Sequence, residues 1–451
     1  MKGYQKLKIS ESKQVQENKI VNTQFKGKFI TISVSIIMIL INIFLAFLYI
    51  YKYINIDGTK NTFENKEVQN INEKIINYEK TLREISEEEI EEFRAINNFG
   101  YLFDRTKYKR SDHPNVTIVI TLRNQAHCIH KAIRSVQNQS LKNIEMIIVD
   151  DCSWDNSTAV VEKFMKEDER IILIKHEEYN EGTMISRKEA IRMAKGKYIT
   201  VLDGDDTLIH KDILKYSLNV AEMADLDIVE FHFAPYDNNN KRLKNGHIHD
   251  LSYIIHQPEL KYKFYRFIDY NDYQRSFICR TIWGKLIKNK IFQKTLDNIP
   301  SKYLNDYIVN FEDSIIMISL YQVANSYYCL RQLGYYYSLG NDRRTNQVRN
   351  DGKCRIRERV VTNFDHIKFL NFLMDKLEDN DKGHQIIYHE LAGINTFPDT
   401  NLKKTVTHHF DMAYRVLDKL INSTHLTLFE KYKTKTIKKE IKENEIKEKN
   451  D

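Results

Sequence analysis

Two acidic clusters hold the residues of this chain best suited to chemistry. VDDCSWD sets Asp150 and Asp151 side by side, and LDGDD sets Asp203, Asp205 and Asp206 within four positions. Carboxylates this close repel one another unless a cation or a hydrogen-bond network offsets them, and hard oxygen donors of this kind suit Mg2+ or Mn2+. Such an ion commonly carries substrate phosphates. The other use for these acids is to cap the helices that follow, and for Asp206 and Asp212 that reading has equal weight. The 15 histidines are scattered without an HxxxH spacing, and no role is placed on them. Five cysteines (Cys128, Cys152, Cys279, Cys329 and Cys354) include no CxxC pair. That excludes a zinc finger or a disulfide scaffold and leaves room for one bridge at most.

Strand ends are the natural supports for such clusters. VTIVIT (116–121), IEMIIVD (144–150), IILIKH (171–176) and YITVLD (198–203) are short runs rich in β-branched residues, separated by helix-length stretches. The alternation predicts right-handed βαβ units: an α/β fold with a mostly parallel sheet and helices on both faces. Ligands of such sheets collect at the carboxyl ends of the strands, where both acidic clusters fall.

Four motifs follow in order over about 90 residues: SVQNQS (Ser135, Val136, Gln137, Asn138, Gln139), VDDCSWDNS (Asp150, Asp151, Ser153, Asp155, Ser157), NEGTMISR (Asn180, Gly182, Arg187) and AKGKYITVLDGDD (Ala194, Gly196, Tyr198, Asp203, Asp205, Asp206). In this the stretch 115–206 resembles the family 2 glycosyltransferases of the Rossmann-like GT-A fold. IWGKLIKNKIF (282–292) and the Glu312-Asp313 pair of FEDSIIM are similar to later segments of polysaccharide-type members, so the resemblance covers roughly 114–345. Three positions depart from the pattern. Thr121-Leu122-Arg123-Asn124 stands where a Pro-x-Tyr-Asn loop is usual, Cys152 replaces a glycine, and Lys188 replaces an asparagine.

The resemblance implies a metal-assisted transfer of a sugar, with inversion, from a nucleotide-sugar donor of UDP type to a glycan, lipid or protein hydroxyl. Asp151, with Asp150, would accept hydrogen bonds from a uracil-type base. Thr121, Asn124, Asn180, Arg187 and Asp203 would line the donor site. Asp205, assisted by Asp203, would hold Mn2+ or Mg2+ against the diphosphate. Asp313, beside Glu312, would be the general base that takes the acceptor's proton. Trp283 and Lys285 would stand on the acceptor side, although Trp283 reads equally well as core packing.

Two rival readings remain. DGDDT, from Asp203 to Thr207, also fits the DxDxT nucleophile motif of haloacid-dehalogenase-like phosphatases. That reading leaves the three preceding βα units and their motifs unexplained. A second rival keeps the fold but makes the chain an inactive lumenal binding or scaffolding partner; retention of the acidic cluster and of Glu312-Asp313 speaks against it.

Charge and hydropathy place the domain in a longer plan. Of the net charge of +7, residues 1–28 carry +5 and residues 431–451 carry +3, so the body between them stands near −1. A nearly neutral body argues against a nucleic-acid-binding face. Residues 29–51 are 23 positions without a charge, long enough to cross the ~30 Å hydrocarbon core of a bilayer as a helix. No small-x-small cleavage site follows the run, so it is expected to stay as a signal anchor. The Lys-rich arm before it predicts a cytoplasmic N-terminus and a single-pass type II protein facing a Golgi or endoplasmic reticulum lumen. Asn422 is the expected acceptor among the sequons that this placement exposes. Residues 52–111 read as a helical stalk. Val68, Ile71, Ile75, Tyr78, Leu82 and Ile85 recur at 3,4 spacing, which either pairs the helix with another one in a coiled-coil homodimer or docks it on the body. Ser86 and Glu89 would cap a second helix running to about Asn98. Residues 112–350 would be the catalytic domain, 351–430 a helical C-terminal region and 431–451 a charged tail.

Overall fold

The computed structural model describes residues 64–98, 109–236, 254–257, 260 and 280–339, with eight helical positions between 365 and 376. The basic arm, the apolar run 29–51, Asn422 and the charged tail lie outside the described residues. Among those described, no helix is long and apolar enough to cross a membrane. The chain divides into two compact units, Met1–Asn70 and Ile71–Asp451; the whole sheet belongs to the second.

The four β-branched runs form β1 (Val116–Leu122), β2 (Ile144–Asp151), β3 (Ile171–His176) and β4 (Tyr198–Asp203). The helices between them are α3 (Ile129–Gln137), α4 (Ser157–Glu167) and α5 (Thr183–Met193), after α1 (Glu64–Thr81) and α2 (Glu87–Asn98). The strands lie in the order β3-β2-β1-β4 with all three pairings parallel. Side chains alternate between faces with the period of two that a doubly covered strand requires. Val119, Ile147, Val149, Ile199 and Val201 join one buried cluster with Met184 and Ile191 of α5. Ile118, Ile120, Met146, Ile148 and Leu202 join another with Ile133 of α3 and Val161 of α4. Gly196, just before β4, allows the closest approach: a Cβ there would stand 2.4 Å from the Thr117 backbone nitrogen.

Beyond β4 the sheet is mixed rather than mostly parallel. The later elements are β5 (Thr207–Leu208), α6 (Ile213–Met223), β6 (Ile228–Tyr236), β7 (Ile255–His256), β8 (Lys285–Lys288), α7 (Asn289–Asn298), α8 (Ser301–Leu304), α9 (Glu312–Val323) and β9 (Ser326–Ser338). The order continues β4-β8-β6-β9-β5, with β7 also on β9. β8 runs antiparallel between β4 and β6, while β6 and β9 are parallel. Antiparallel neighbours need no crossover helix between them, so the regular βα alternation that announces the first half of the sheet is not repeated here: β6, β7 and β8 follow one another without a described helix between them.

The stalk's apolar stripe has its partner within the chain. Ile75 is buried, and Ile71, Tyr78 and Leu82 pack into the same cluster as α3 and α6. Glu79, also buried, accepts hydrogen bonds from Tyr328 Oη and the Arg331 backbone N–H, each at 2.9 Å. From Ile71 onward the stripe therefore docks on the body, which removes the seam a coiled-coil homodimer would use. Ser86 and Glu89 form the expected capping box: the Glu89 N–H donates to Ser86 Oγ at 3.2 Å and the Ser86 N–H to Glu89 Oε2 at 3.0 Å. Of the C-terminal region, Phe369, Phe372 and Leu373 are described and enter the cluster beneath α9.

Candidate active site

Sheet register draws the acidic clusters into one row. Leu122 pairs with Asp150, Thr121 with Asp203 and Asp151 with His176, so the carboxyl ends of β3, β2, β1 and β4 present these residues side by side. The chain leaves β1 toward β2 and β3 on one side and returns to β4 on the other, which makes the β1/β4 edge the switch point where such sheets bind ligands.

At the end of β2 the two acids are already engaged. Asp150 Oδ1 accepts the Ser153 N–H at 3.0 Å, and Oδ2 bonds Thr158 Oγ1. Asp151 receives the Glu181 and Gly182 N–H groups at 2.7 and 3.0 Å, Asn180 Nδ2, and His176 Nδ1 at 2.9 Å. A carboxylate has about four acceptor sites; those of Asp151 are filled by the chain itself. The residue expected to bond a base thus holds the β3–α5 loop in shape, and Asn180 serves the same loop. Gly182 fits this turn at φ 90°.

The loops after β1 and β2 are laced into one rim. The Asn124 N–H donates to Ser153 Oγ at 2.8 Å, the Gln125 N–H to Ser157 Oγ at 2.8 Å, and the Ala126 N–H to Asp155 Oδ2 at 3.1 Å; the Trp154 N–H returns to Asn124 Oδ1 at 2.9 Å. Asn124 and Cys152 both hold left-handed backbone, at φ 55° and 59°. The residue that replaces a glycine therefore sits where glycine is favoured.

Arg187 unites the motifs. From α5 its Nη2 donates to Asp203 Oδ1 at 2.8 Å and its Nη1 to Glu312 Oε1 at 2.8 Å. Burial opposes the charge of Arg187, but Asp203, Glu312 and Asp313 outweigh it and raise its pKa further. Burial pushes Glu312 up to about 8, Arg187 pulling against it and Asp313 adding to it. Asp313 is raised too, by burial first and by Asp203, with Arg187 and Arg280 opposing. Glu312 is buried and committed to Arg187, whereas Asp313 is partly exposed. Of its oxygens, Oδ1 accepts the Ser314 N–H at 2.8 Å.

The second acidic cluster divides. Asp206 is buried, accepts Tyr335 Oη at 2.7 Å and the Ser338 N–H at 2.8 Å, and ties β9 to the end of β4. Burial and the neighbouring Asp205 and Asp203 hold its carboxyl well above the usual range. Asp203 and Asp205, flanking Gly204, remain partly exposed. Among the described residues no three His, Cys, Asp or Glu side chains converge on a metal site. Asp203 and Asp205 both carry hard carboxylate oxygens, the donor type that Mg2+ and Mn2+ take.

Trp283 and Lys285, expected on the acceptor side, are both buried. Trp283 stacks on Tyr335 and Tyr337 with centroids 4.6 and 5.0 Å apart and meets Phe233 edge-on at 5.0 Å. Lys285 Nζ pairs with Glu230 at 3.1 Å and donates to the Thr281 carbonyl at 2.8 Å. Sequence reasoning missed His176, whose Nε2 meets Glu189 Oε2 at 2.9 Å while Nδ1 meets Asp151. Its position at the end of a strand was the available signal. It also passed over Arg123, whose guanidinium lies over the Trp154 ring.

Residues 117–296 match the family model described as Glycosyl transferase family 2. A GalNAc(5)-diNAcBac-PP-undecaprenol beta-1,3-glucosyltransferase of Campylobacter jejuni is 33% identical over 96 residues, 21% of this chain and 31% of that protein. A cholesterol galactosyltransferase of Borreliella burgdorferi is 28% identical over 211 residues, 47% of this chain and 56% of that protein. The chain thus matches 31% of the length of the first of these relatives and 56% of the second. The structure of S. aureus TarS 1-349 in complex with UDP is similar at TM-score 0.46 and 14% identity, over 73% of this chain and 89% of that one.

Proposed function

We propose that the chain is a family 2 glycosyltransferase that moves a sugar from a nucleotide-sugar donor to an acceptor hydroxyl with inversion. The observation that carries this reading is the Arg187 bridge, which draws Asp203 at the end of β4 and Glu312 at the start of α9 onto one guanidinium. Asp313 is thereby held beside the strand ends where the diphosphate would lie.

In this reading Asp313 takes the proton of the acceptor hydroxyl. The acceptor oxygen forms its bond to the anomeric carbon as the bond from that carbon to the diphosphate oxygen breaks on the opposite face. A raised carboxyl pKa suits a base that works near neutral pH. Arg187 keeps Glu312 and Asp203 in place and limits repulsion around the leaving diphosphate. Asp205, with Asp203, would hold Mn2+ or Mg2+, which when bound supplies charge stabilisation to the leaving group. Thr121, Asn124, Asn180, Asp150 and Asp151 shape the donor pocket.

The names of the two relatives point to lipid-borne acceptors, a diphosphoundecaprenol-linked sugar and cholesterol. A lipid-linked acceptor suits a catalytic domain tethered by the apolar run 29–51. With the Lys-rich arm cytoplasmic, the domain would face a Golgi or endoplasmic reticulum lumen as a type II protein. Protease added to sealed vesicles should then remove the arm and spare the body; digestion of the body instead would place the site on the cytoplasmic side. The transfer itself is tested by release of nucleoside diphosphate and by the anomeric configuration of the product, read by NMR.

A further inference from the structure

The two acids that open α9 follow a strained turn. Phe311, the residue before Glu312, holds left-handed backbone at φ 65°, a conformation that bulky side chains seldom adopt. Such strain persists only where the surrounding structure over-determines it. The determining contacts come from the helical positions between 365 and 376, beyond the family match at residues 117–296. Asp365 is buried, and one of its oxygens accepts the Val309 and Asn310 N–H groups at 3.0 and 2.9 Å. Phe369 stacks its ring on that of Phe311, with centroids 5.4 Å apart. Lys368 Nζ donates to the Tyr307 carbonyl at 2.8 Å and pairs with Asp306 at 2.8 Å. Asp365, Lys368 and Phe369 have the i, i+3, i+4 spacing of one helix face, so a single face holds residues 306–311. The Ile308 carbonyl in turn accepts the Met184 N–H at 3.0 Å, in the first turn of the helix that carries Arg187.

Resting on the reading of Asp313 as the general base, we propose that Asp365 is a positioning residue for that base: it fixes the turn that sets where α9 begins and so where Asp313 points. Val309 and Asn310 lie four and three positions before Asp313, so a shift of the turn is carried directly into the first turn of the helix. Two buried N–H groups deprived of their acceptor must find another partner or water, and either displaces the turn. A misplacement of about 1 Å can cost on the order of a hundredfold in rate. The strand ends that would hold the donor, on β1, β2 and β4, make no part of this clamp, so the loss falls on the chemical step.

The test is a double-mutant cycle in the full chain, read as release of UDP from UDP-glucose, UDP-galactose and UDP-N-acetylglucosamine with water as the acceptor. Asp365→Ala should lower kcat roughly ten- to hundred-fold with little change in donor KM. Asp365→Asn, which keeps an acceptor oxygen for the two N–H groups, should restore most of the rate. In the Asp313→Asn background the same Asp365→Ala change should cost no more than about twofold, because the base it positions is gone. Phe369→Leu keeps the interior filled, so it reports on the clamp even where Asp365→Ala does not fold, and it should lower kcat in the same sense. Asp375→Ala removes bonds from the same helical stretch to Tyr303 Oη and Lys302; it should lower the urea midpoint and leave kcat unchanged. An Asp365→Ala loss of equal size with and without Asp313, or an unchanged kcat in Phe369→Leu, would overturn the positioning role while sparing the transferase reading. Full turnover by Asp313→Asn, or no release of UDP by wild type from any of the three donors, would overturn that reading and the positioning role with it.

Discussion

Arg187 Nη1 stands 2.8 Å from Glu312 Oε1, joining α5 to the first turn of α9 across 125 positions. The same guanidinium reaches Asp203. Removing one member of a buried charge network leaves the others uncompensated, at a cost of about 3–5 kcal/mol. Arg187→Ala should lower stability by that order in urea denaturation. Arg187→Lys should lose less stability, because charge returns, yet still lose turnover, because one ammonium cannot reproduce the planar fork.

Asp313→Asn should reduce turnover by a factor on the order of 10² to 10⁴ with donor affinity nearly unchanged. Because burial raises the Asp313 pKa, the acid limb of kcat/KM should lie above the ordinary aspartate range, the rate rising with pH as the base deprotonates. Stability moves the other way. A carboxyl whose folded pKa is raised binds its proton more tightly in the folded state, so its contribution declines as pH climbs from the unfolded toward the folded value. A pH-rate profile beside pH-dependent denaturation separates the two trends; an acid limb at the ordinary aspartate value would move the base elsewhere.

The four parallel strands and both acidic clusters were legible because β-branched runs, helix-length gaps and strand-end positions are all local signals. The later strands were not. β8 is four residues, Lys285–Lys288, and β9 carries register shifts against β6 near His232, so neither shows a clean alternation. Trp283 and Lys285 illustrate a different limit. The family resemblance singled them out, but only the fold reveals that Trp283 stacks on Tyr335 and that Lys285 pairs with Glu230 in the interior. The stalk stripe was correctly seen as apolar, while its partner, the chain's own domain, is a tertiary fact. His176 lacked a pattern because Asp151 and Glu189 lie 25 and 13 positions away.

His176 should act as a pH-dependent clasp. Burial lowers its pKa, but Asp151 on β2 and Glu189 on α5 outweigh this and raise it above 6.5. The contribution is fully present below the unfolded value of 6.5 and is lost as pH rises through the higher folded value, where one ring nitrogen no longer donates. His176→Gln should therefore cost about 1.5–3 kcal/mol at low pH, the usual worth of a hydrogen bond to a charged group. The gap between variant and wild type in melting temperature should narrow at alkaline pH. A gap independent of pH would assign His176 to packing alone.

Cys152 occupies left-handed backbone at φ 59°, which costs a non-glycine residue roughly 1–2 kcal/mol. Glycine relieves that strain but loses more entropy on folding, so Cys152→Gly should stabilise the domain by up to about 1 kcal/mol. Denaturant midpoints check this, and a destabilised variant would show that the thiol contributes packing that outweighs the strain.

Glycosyl transfer from a metal-assisted site is tested most directly by turnover of a donor panel. Purified chain, supplied with Mn2+ and a set of nucleotide sugars, is assayed for release of nucleoside diphosphate, alongside Asp205→Ala and excess EDTA. At least one donor should be turned over, and both Asp205→Ala and EDTA should abolish the release while circular dichroism shows an unchanged fold. Full release by Asp205→Ala or in EDTA, or no release from any donor by a chain that binds nucleotide, would contradict it.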